Sequence, residues 1–189
     1  DLSLISHVQK IMQTGAIDSF KIEGRTKSEY YVACATNAYR AAIDDAASDK
    51  FEARVYEREI ATLKNRGFSD GYLIKRPYER EDTQNLDRSI ELGTHQVCAI
   101  SQDGEFISVK DKILPGVSYE IFAPRGFKIC ACDNEIGEIF ELSGKSYLKF
   151  KRLQSRSGKE FGEIHSGNLN EIKLPAKLAE FCFLRKEIE

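Results

Sequence analysis

The spacing of apolar positions changes once along the chain, and the change divides it in two. Up to about residue 66 they recur at helical spacing: Leu4, Ile5, Val8, Ile11 and Met12, then Tyr31, Ala35, Ala38 and Ala42, then Tyr56, Ile60 and Leu63. Gly15 and Gly67 stand where helix stops are expected. Thr26 lies three residues before Glu29, the capping-box spacing, and predicts a helix from 26 to about 47. A third helix is predicted over 53–66. Between the first two, residues 17–23 alternate apolar and polar and predict a strand, with a turn at Gly24-Arg25. One strand cannot make a sheet. The helix–strand–helix piece therefore predicts the closing unit of an α/β layer or barrel whose other strands lie upstream.

From Gly93 onward the period is two. Strands are predicted over 95–101, 105–110, 117–122, 127–132, 137–142, 146–152, 170–174 and 179–185, with turn signals such as Pro115-Gly116, Pro124-Arg125-Gly126 and Ser143-Gly144 between them. The predicted fold class is α+β: the last helix–strand–helix unit of a TIM-like α/β barrel, then a small antiparallel β-barrel. The predicted boundaries are 1–75 for the end of the α/β catalytic domain, 76–92 for a polar linker and 93–189 for the β-barrel.

Composition narrows the classes. With 41% apolar and 31% charged residues, each part can bury a core and keep a solvated surface. No apolar run approaches a bilayer span, so no membrane partner is expected. A formal charge of -2 argues against a uniformly basic nucleic-acid binder but permits a local basic patch. The chain opens on Asp1 without a signal-peptide pattern, which predicts a piece of a longer protein. Five widely spaced cysteines predict reduced thiols and a cytoplasmic location. Cys130 and Cys132 would share one face of a strand. They are read first as two small apolar residues on a buried face and second as soft-metal ligands, and no metal site is assigned. His7, His95 and His165 form no ligand or triad spacing and are expected at the surface or an interface.

Two stretches carry candidate chemistry. Lys21, Glu23 and Arg25 alternate on one face of the predicted strand and its exit, with Phe20 and Ile22 on the other. Two cations flanking a carboxylate could hold an anionic substrate and keep Glu23 ionised, helped by the N–H groups of the following helix. The competing reading is an internal ion-pair network that closes a barrel end. Residues 143–159 carry six positive charges and no acid, while the other 172 residues carry a net -8. Lys149, Lys151, Arg152 and Arg156 are the candidate contacts to an RNA backbone; Tyr147 and Phe150 could add stacking but would face opposite sides of a strand. The alternative is a solvated hairpin. The chain holds no H-E-x-x-H or G-x-S-x-G and no Cys–His pair close in sequence, so the residues give proteolysis no mechanistic support.

The run Phe20-Lys21-Ile22-Glu23-Gly24-Arg25-Thr26-Lys27-Ser28-Glu29-Tyr30-Tyr31-Val32-Ala33 resembles the signature of the collagenase-like peptidase family U32. The likeness continues through Tyr39–Ala46, Arg66–Leu73 and Gln84-Asn85, and more weakly through Val109–Lys112, Gly116 and Pro124–Gly126. The opening Asp1-Leu2 is similar to a Lys-Asp-Leu element of the family. The resemblance implies a catalytic role for Glu23, with Lys21 and Arg25. It implies, for the full-length protein, prephenate-dependent hydroxylation of the transfer-RNA wobble uridine, with tRNA and the upstream half of the polypeptide as partners. The family's other branches imply action on ribosomal RNA or in ubiquinone hydroxylation. It also implies an iron–sulfur cluster held by cysteines upstream of the signature; none of the five cysteines here matches them. A genuine peptidase and a non-catalytic substrate-docking module are the competing expectations, and the isolated chain is expected to be inactive.

Overall fold

The computed structural model describes residues 1–74 and 93–188. The predicted linker 76–92 lies outside the described residues. The chain divides into two compact units, Asp1–His95 and Gln96–Glu189. Among the described residues no helix is long and apolar enough to cross a membrane.

The first unit is helical. A 3-10 turn, Ile5–His7, runs into helix α1, Val8–Gln13; α2 is Glu29–Ala47 and α3 is Ala53–Ala61. Gly15 ends α1 as expected, at φ 65° with its N–H on the Met12 carbonyl. α2 starts later than predicted. Its cap is Ser28, not Thr26: the Ser28 Oγ accepts the Tyr31 N–H at 3.2 Å. Gly24 to Lys27 form the turn that delays it, with the Lys27 N–H on the Gly24 carbonyl at 3.0 Å. α3 ends five residues before the predicted 66. Thr62 Oγ bonds the Glu59 carbonyl, Asn65 Nδ2 bonds the Leu63 carbonyl and the Gly67 N–H bonds Asn65 Oδ1, so polar side chains take over the backbone partners a further helical turn would need. The small residues Ala38 and Ala42 let α2 pack closely on Ile5, Val8, Tyr56 and Ile60, which form the core.

Residues 17–23 form no strand. Their alternation is real, but none of the described residues offers them a sheet edge, and an unpaired segment makes no ladder. The unit does contain a parallel pairing, between Leu2 and Ser69, with the Ser69 N–H on the Asp1 carbonyl at 3.0 Å and the Ser3 N–H on the Ser69 carbonyl at 2.8 Å.

The second unit is a curled antiparallel sheet of eight strands in the order β4-β5-β6-β3-β10-β1-β2-β9. The strands are β1 His95–Ser101, β2 Phe106–Val109, β3 Ser118–Phe122, β4 Cys132–Asp133, β5 Gly137–Leu142, β6 Lys145–Phe150, β9 Ile172–Lys173 and β10 Phe183–Glu187; β7 Leu153–Gln154 and β8 Glu160–Phe161 form a separate hairpin. The inner face buries Ile107, Tyr119, Ile139, Leu148, Phe150 and Leu184 in one core. The sheet is half a barrel, not the closed barrel predicted. Its ends, β4 and β9, are two residues each, too short to pair into a closing ladder. Asn134 Nδ2 reaches the Pro175 carbonyl at 2.7 Å and ties the two margins together instead.

Two predicted strands are corrected. Only Cys132 of the predicted 127–132 is in a strand; Phe127 is exposed and its N–H turns back to the Pro124 carbonyl. Strand β10 begins at Phe183 rather than 179, because Phe181 sits at φ 58° and the Cys182 N–H bonds the Ala179 carbonyl. The β5–β6 hairpin matches its turn chemistry. Ser143 and Gly144 both have positive φ, the two-residue turn that sets Leu142 opposite Lys145.

Candidate functional site: a charged trio beside an aromatic cleft

Helix α2 and the segment before it place the signature residues. Lys21 Nζ lies 2.9 Å from Glu23 Oε1, and Arg25 Nε lies 3.4 Å from Glu23 Oε2. The structure therefore brings the three predicted residues together around one carboxylate. Their side chains are 85%, 55% and 90% exposed for Lys21, Glu23 and Arg25, which decides what the trio is worth: ion pairs in water contribute about 0–1 kcal/mol. An exposed trio is a poor structural brace. The guanidinium keeps its Nη donors for a planar anion while Nε faces Glu23.

Lys21 and Glu23 of the trio line a cleft of about 320 Å³, and Arg25 does not. Phe20, Tyr31, Tyr39, Ile60, Leu63 and Phe68 supply its apolar and aromatic lining, and Asp1, Lys21, Glu23 and Lys27 its charges. Lys27 bonds Asp1 Oδ2 at 3.0 Å and sits 4.5 Å from the centre of the Tyr31 ring. Tyr39 Oη accepts the Leu4 N–H at 2.8 Å, which pins the start of the chain across the cleft. Burial, and then proximity to Tyr39, raises the Tyr31 phenol above its ordinary value. A Cβ at Gly24 would fall 2.6 Å from a Val32 methyl, so a larger residue there would have to displace that side chain. The predicted anion cradle at the helix start is weakened: α2 begins at Glu29, an acid in the first turn, and Ser28 already caps one of its N–H groups. Sequence reasoning missed Lys27 and Tyr39, although both lie inside the quoted likeness, at helical spacing from Tyr31.

The basic segment is differently disposed. Lys151 pairs with Asp133, Arg152 with Glu160 at 3.6 Å, and Arg156 with Asp103 at 2.6 Å and Glu171 at 3.0 Å. Arg156 also stacks 4.0 Å from the Phe106 ring centre. These cations hold the sheet margins to neighbouring acids that a count along the sequence cannot show. Lys149 makes no ion pair among the described residues. Phe150 is buried in the core, so its predicted stacking role is withdrawn; Tyr147 stacks instead on Phe140 across the hairpin.

Cys130 is exposed and Cys132 half-buried, against the buried pair expected. Cys34, Cys98 and Cys182 are buried, and burial pushes the Cys98 and Cys182 thiols up to about 11. Among the described residues no group of three or more His, Cys, Asp or Glu could hold a metal ion. These residues do not fit the cluster that the resemblance implies. His7 faces Asp70 at 3.4 Å, His165 faces Glu163 at 3.0 Å, and His95 is buried beside the Thr94 hydroxyl.

Comparison with known proteins shows what this site is similar to. The model of peptidase family U32 matches residues 1–83, the stretch that holds the trio and the cleft. Those residues are similar to peptidase family U32. Over all 189 residues the chain is 44% identical to tRNA hydroxylation protein P of Helicobacter pylori, covering 45% of that protein. It is 35% identical to the Escherichia coli protein of the same name over 153 residues, 76% of this chain and 33% of the relative. It is 34% identical to a collagenase of Porphyromonas gingivalis over 77 residues, 39% of this chain and 18% of the relative. The chain thus spans under half the length of these relatives. No solved structure matches it.

Proposed function

We propose that the full-length protein takes part in prephenate-dependent hydroxylation of the tRNA wobble uridine, and that this chain supplies an anion-binding lip and part of its RNA surface. The observation that carries the reading is the reach of the likeness. The Helicobacter pylori relative named for tRNA hydroxylation matches the whole chain, β-unit included, and the Escherichia coli one 76% of it, whereas the collagenase match stops at 77 residues. The parallel Leu2–Ser69 pairing suits a unit that completes a TIM-like barrel, with residues 17–23 as a strand once neighbouring strands are present. The sheet in the second unit would then be the small barrel-like C-terminal domain.

Within the site, Lys21 and Arg25 present exposed cationic heads to an anion, either a carboxylate of the small substrate or an RNA phosphate. Glu23 lies within ion-pair distance of both and leaves a net single positive charge there. The aromatic cleft beside them offers apolar contact to a ring. The iron–sulfur cluster is assigned to the rest of the polypeptide, since the residues here lack the ligands, and no step is derived through it. Among the described residues no group of three or more His, Cys, Asp or Glu could hold a metal ion for hydrolysis, and proteolysis is the less supported reading. The test is nucleoside mass spectrometry of tRNA from cells lacking the native gene and carrying the full-length protein or its Arg25→Ala variant. Loss of wobble hydroxylation in the variant supports the reading; full hydroxylation without the gene overturns it.

A further inference from the structure

We propose that the outer face of the β5–β6 hairpin is a base-stacking contact for single-stranded RNA, built from Phe140 and Tyr147 with Lys149 as its phosphate partner. The proposal rests on the RNA reading above and names the surface that would carry it. Ile139 and Leu148 are register partners and both lie in the core, so the next residues along each strand, Phe140 and Tyr147, face outward. These two are themselves register partners. Their rings are stacked, with centroids 5.8 Å apart and planes 20° from parallel, and each remains half-buried rather than covered. The pair is rigid because the two-residue turn at Ser143-Gly144 fixes the hairpin register.

The surroundings favour a nucleobase over an apolar protein surface. Lys145 and Lys149 flank Tyr147 on its own strand and face, each at a spacing of about 7 Å. Lys145 is held by Glu120 at 2.9 Å, and Glu120 lies opposite Tyr147 in the next strand. Lys149 lies opposite Glu138 and Ser118, without an ion pair among the described residues. A preordered aromatic face with one available cation suits a base and its phosphate, and stacking carries most of such an interaction whatever the sequence. It also explains why the sequence's six positive charges make a weak phosphate track: three of the four candidate cations are spent on acids of the same unit.

The experiment measures binding of a fluorescein-labelled uridine dodecamer and of an unmodified tRNA transcript to the full chain, by anisotropy across a salt series. Tyr147→Ala and Phe140→Ala should each weaken dodecamer binding by about 5- to 150-fold with the salt slope unchanged. Lys149→Ser should flatten the slope by about 0.7. Tyr147→Phe keeps the ring and should bind as the parent does, whereas Tyr147→Leu, apolar but not aromatic, should lose affinity; thermal melts of both exclude misfolding as the cause. If the parent binds RNA and Tyr147→Ala and Tyr147→Leu bind equally well, the stacking contact is overturned while the RNA reading survives. If the parent binds neither RNA, both fall. If Tyr147→Ala instead abolishes self-association in sedimentation with RNA affinity intact, the face is a protein contact and the proposal is wrong.

Discussion

Gly104 and Gly116 share a backbone angle and differ in surroundings, so together they separate two costs that a glycine substitution usually mixes. Both sit at φ 80°. At Gly116 an added Cβ meets nothing within 4 Å; at Gly104 it would fall 2.3 Å from the Leu178 carbonyl oxygen. Gly116→Ala should therefore cost only the left-handed backbone, about 1–2 kcal/mol. Gly104→Ala carries the same penalty and also forces the 175–182 segment away. That segment is tied down where the clash occurs: the Leu178 N–H bonds the Gly104 carbonyl at 2.9 Å, and the Leu178 side chain is 3% exposed in the core. Losing that hydrogen bond costs about 1 kcal/mol and repacking a well-filled core another 1–3 kcal/mol, for a total of roughly 3–6 kcal/mol. Urea unfolding of the full chain, followed by tyrosine fluorescence since the chain has no Trp, reads both. Equal losses for the two variants would refute the close approach of Gly104 to Leu178.

Three further outcomes follow from the same geometry. The carboxyl of Asp103 is held down at about 2, chiefly by the Phe106 and Glu105 N–H groups and then by Arg156, and that of Glu163 at about 2, chiefly by His165 and then Lys112. Their stabilisation is full above the ordinary carboxylate range and is lost as pH falls toward 2, so melting curves of Asp103→Asn should show a shallower loss between about pH 4.5 and 2 than the parent. A Lys151→Ser, Arg152→Ser, Arg156→Ser triple variant should lower the unfolding midpoint, with Arg156 contributing most, and change the salt slope of tRNA binding by less than about one unit; a drop near three would restore these residues as phosphate contacts. Thiol labelling of the native chain should modify Cys130 first and leave Cys98 and Cys182 until unfolding, and early labelling of either buried thiol would contradict the core assignment.

Particular residues show what the amino-acid order made legible. Apolar period alone located α2 and β1, and Ser143-Gly144 set the β5–β6 register, from which the Phe140–Tyr147 pair could have been read by counting back from the turn. The predictions failed where a local pattern needed a distant partner. Residues 17–23 alternate like a strand yet find no sheet edge, and residues 127–131 do the same. Thr26 has the right spacing to Glu29, but the turn closed by Lys27 moves the cap to Ser28. Charge counts misled for a similar reason. Residues 143–159 look basic in one dimension, while Asp103, Asp133, Glu160 and Glu171 are brought beside them by the fold. The trio was legible because its three members are two residues apart and need no long-range contact to meet.

The exposed setting of that trio turns the central claim into a comparison of two readouts on one substitution. Glu23→Gln in the full-length protein keeps the side chain's shape and removes the charge that organises Lys21 and Arg25. Surface pairs of this kind hold about 0–1 kcal/mol, so the melting temperature should move by no more than about 4 °C. Wobble-uridine hydroxylation per folded protein, measured by nucleoside mass spectrometry, should fall at least about tenfold, the loss of a charge-assisted contact to the bound anion. A protein that melts many degrees lower while each folded molecule keeps its parent rate would make Glu23 a structural ion-pair partner and contradict the account.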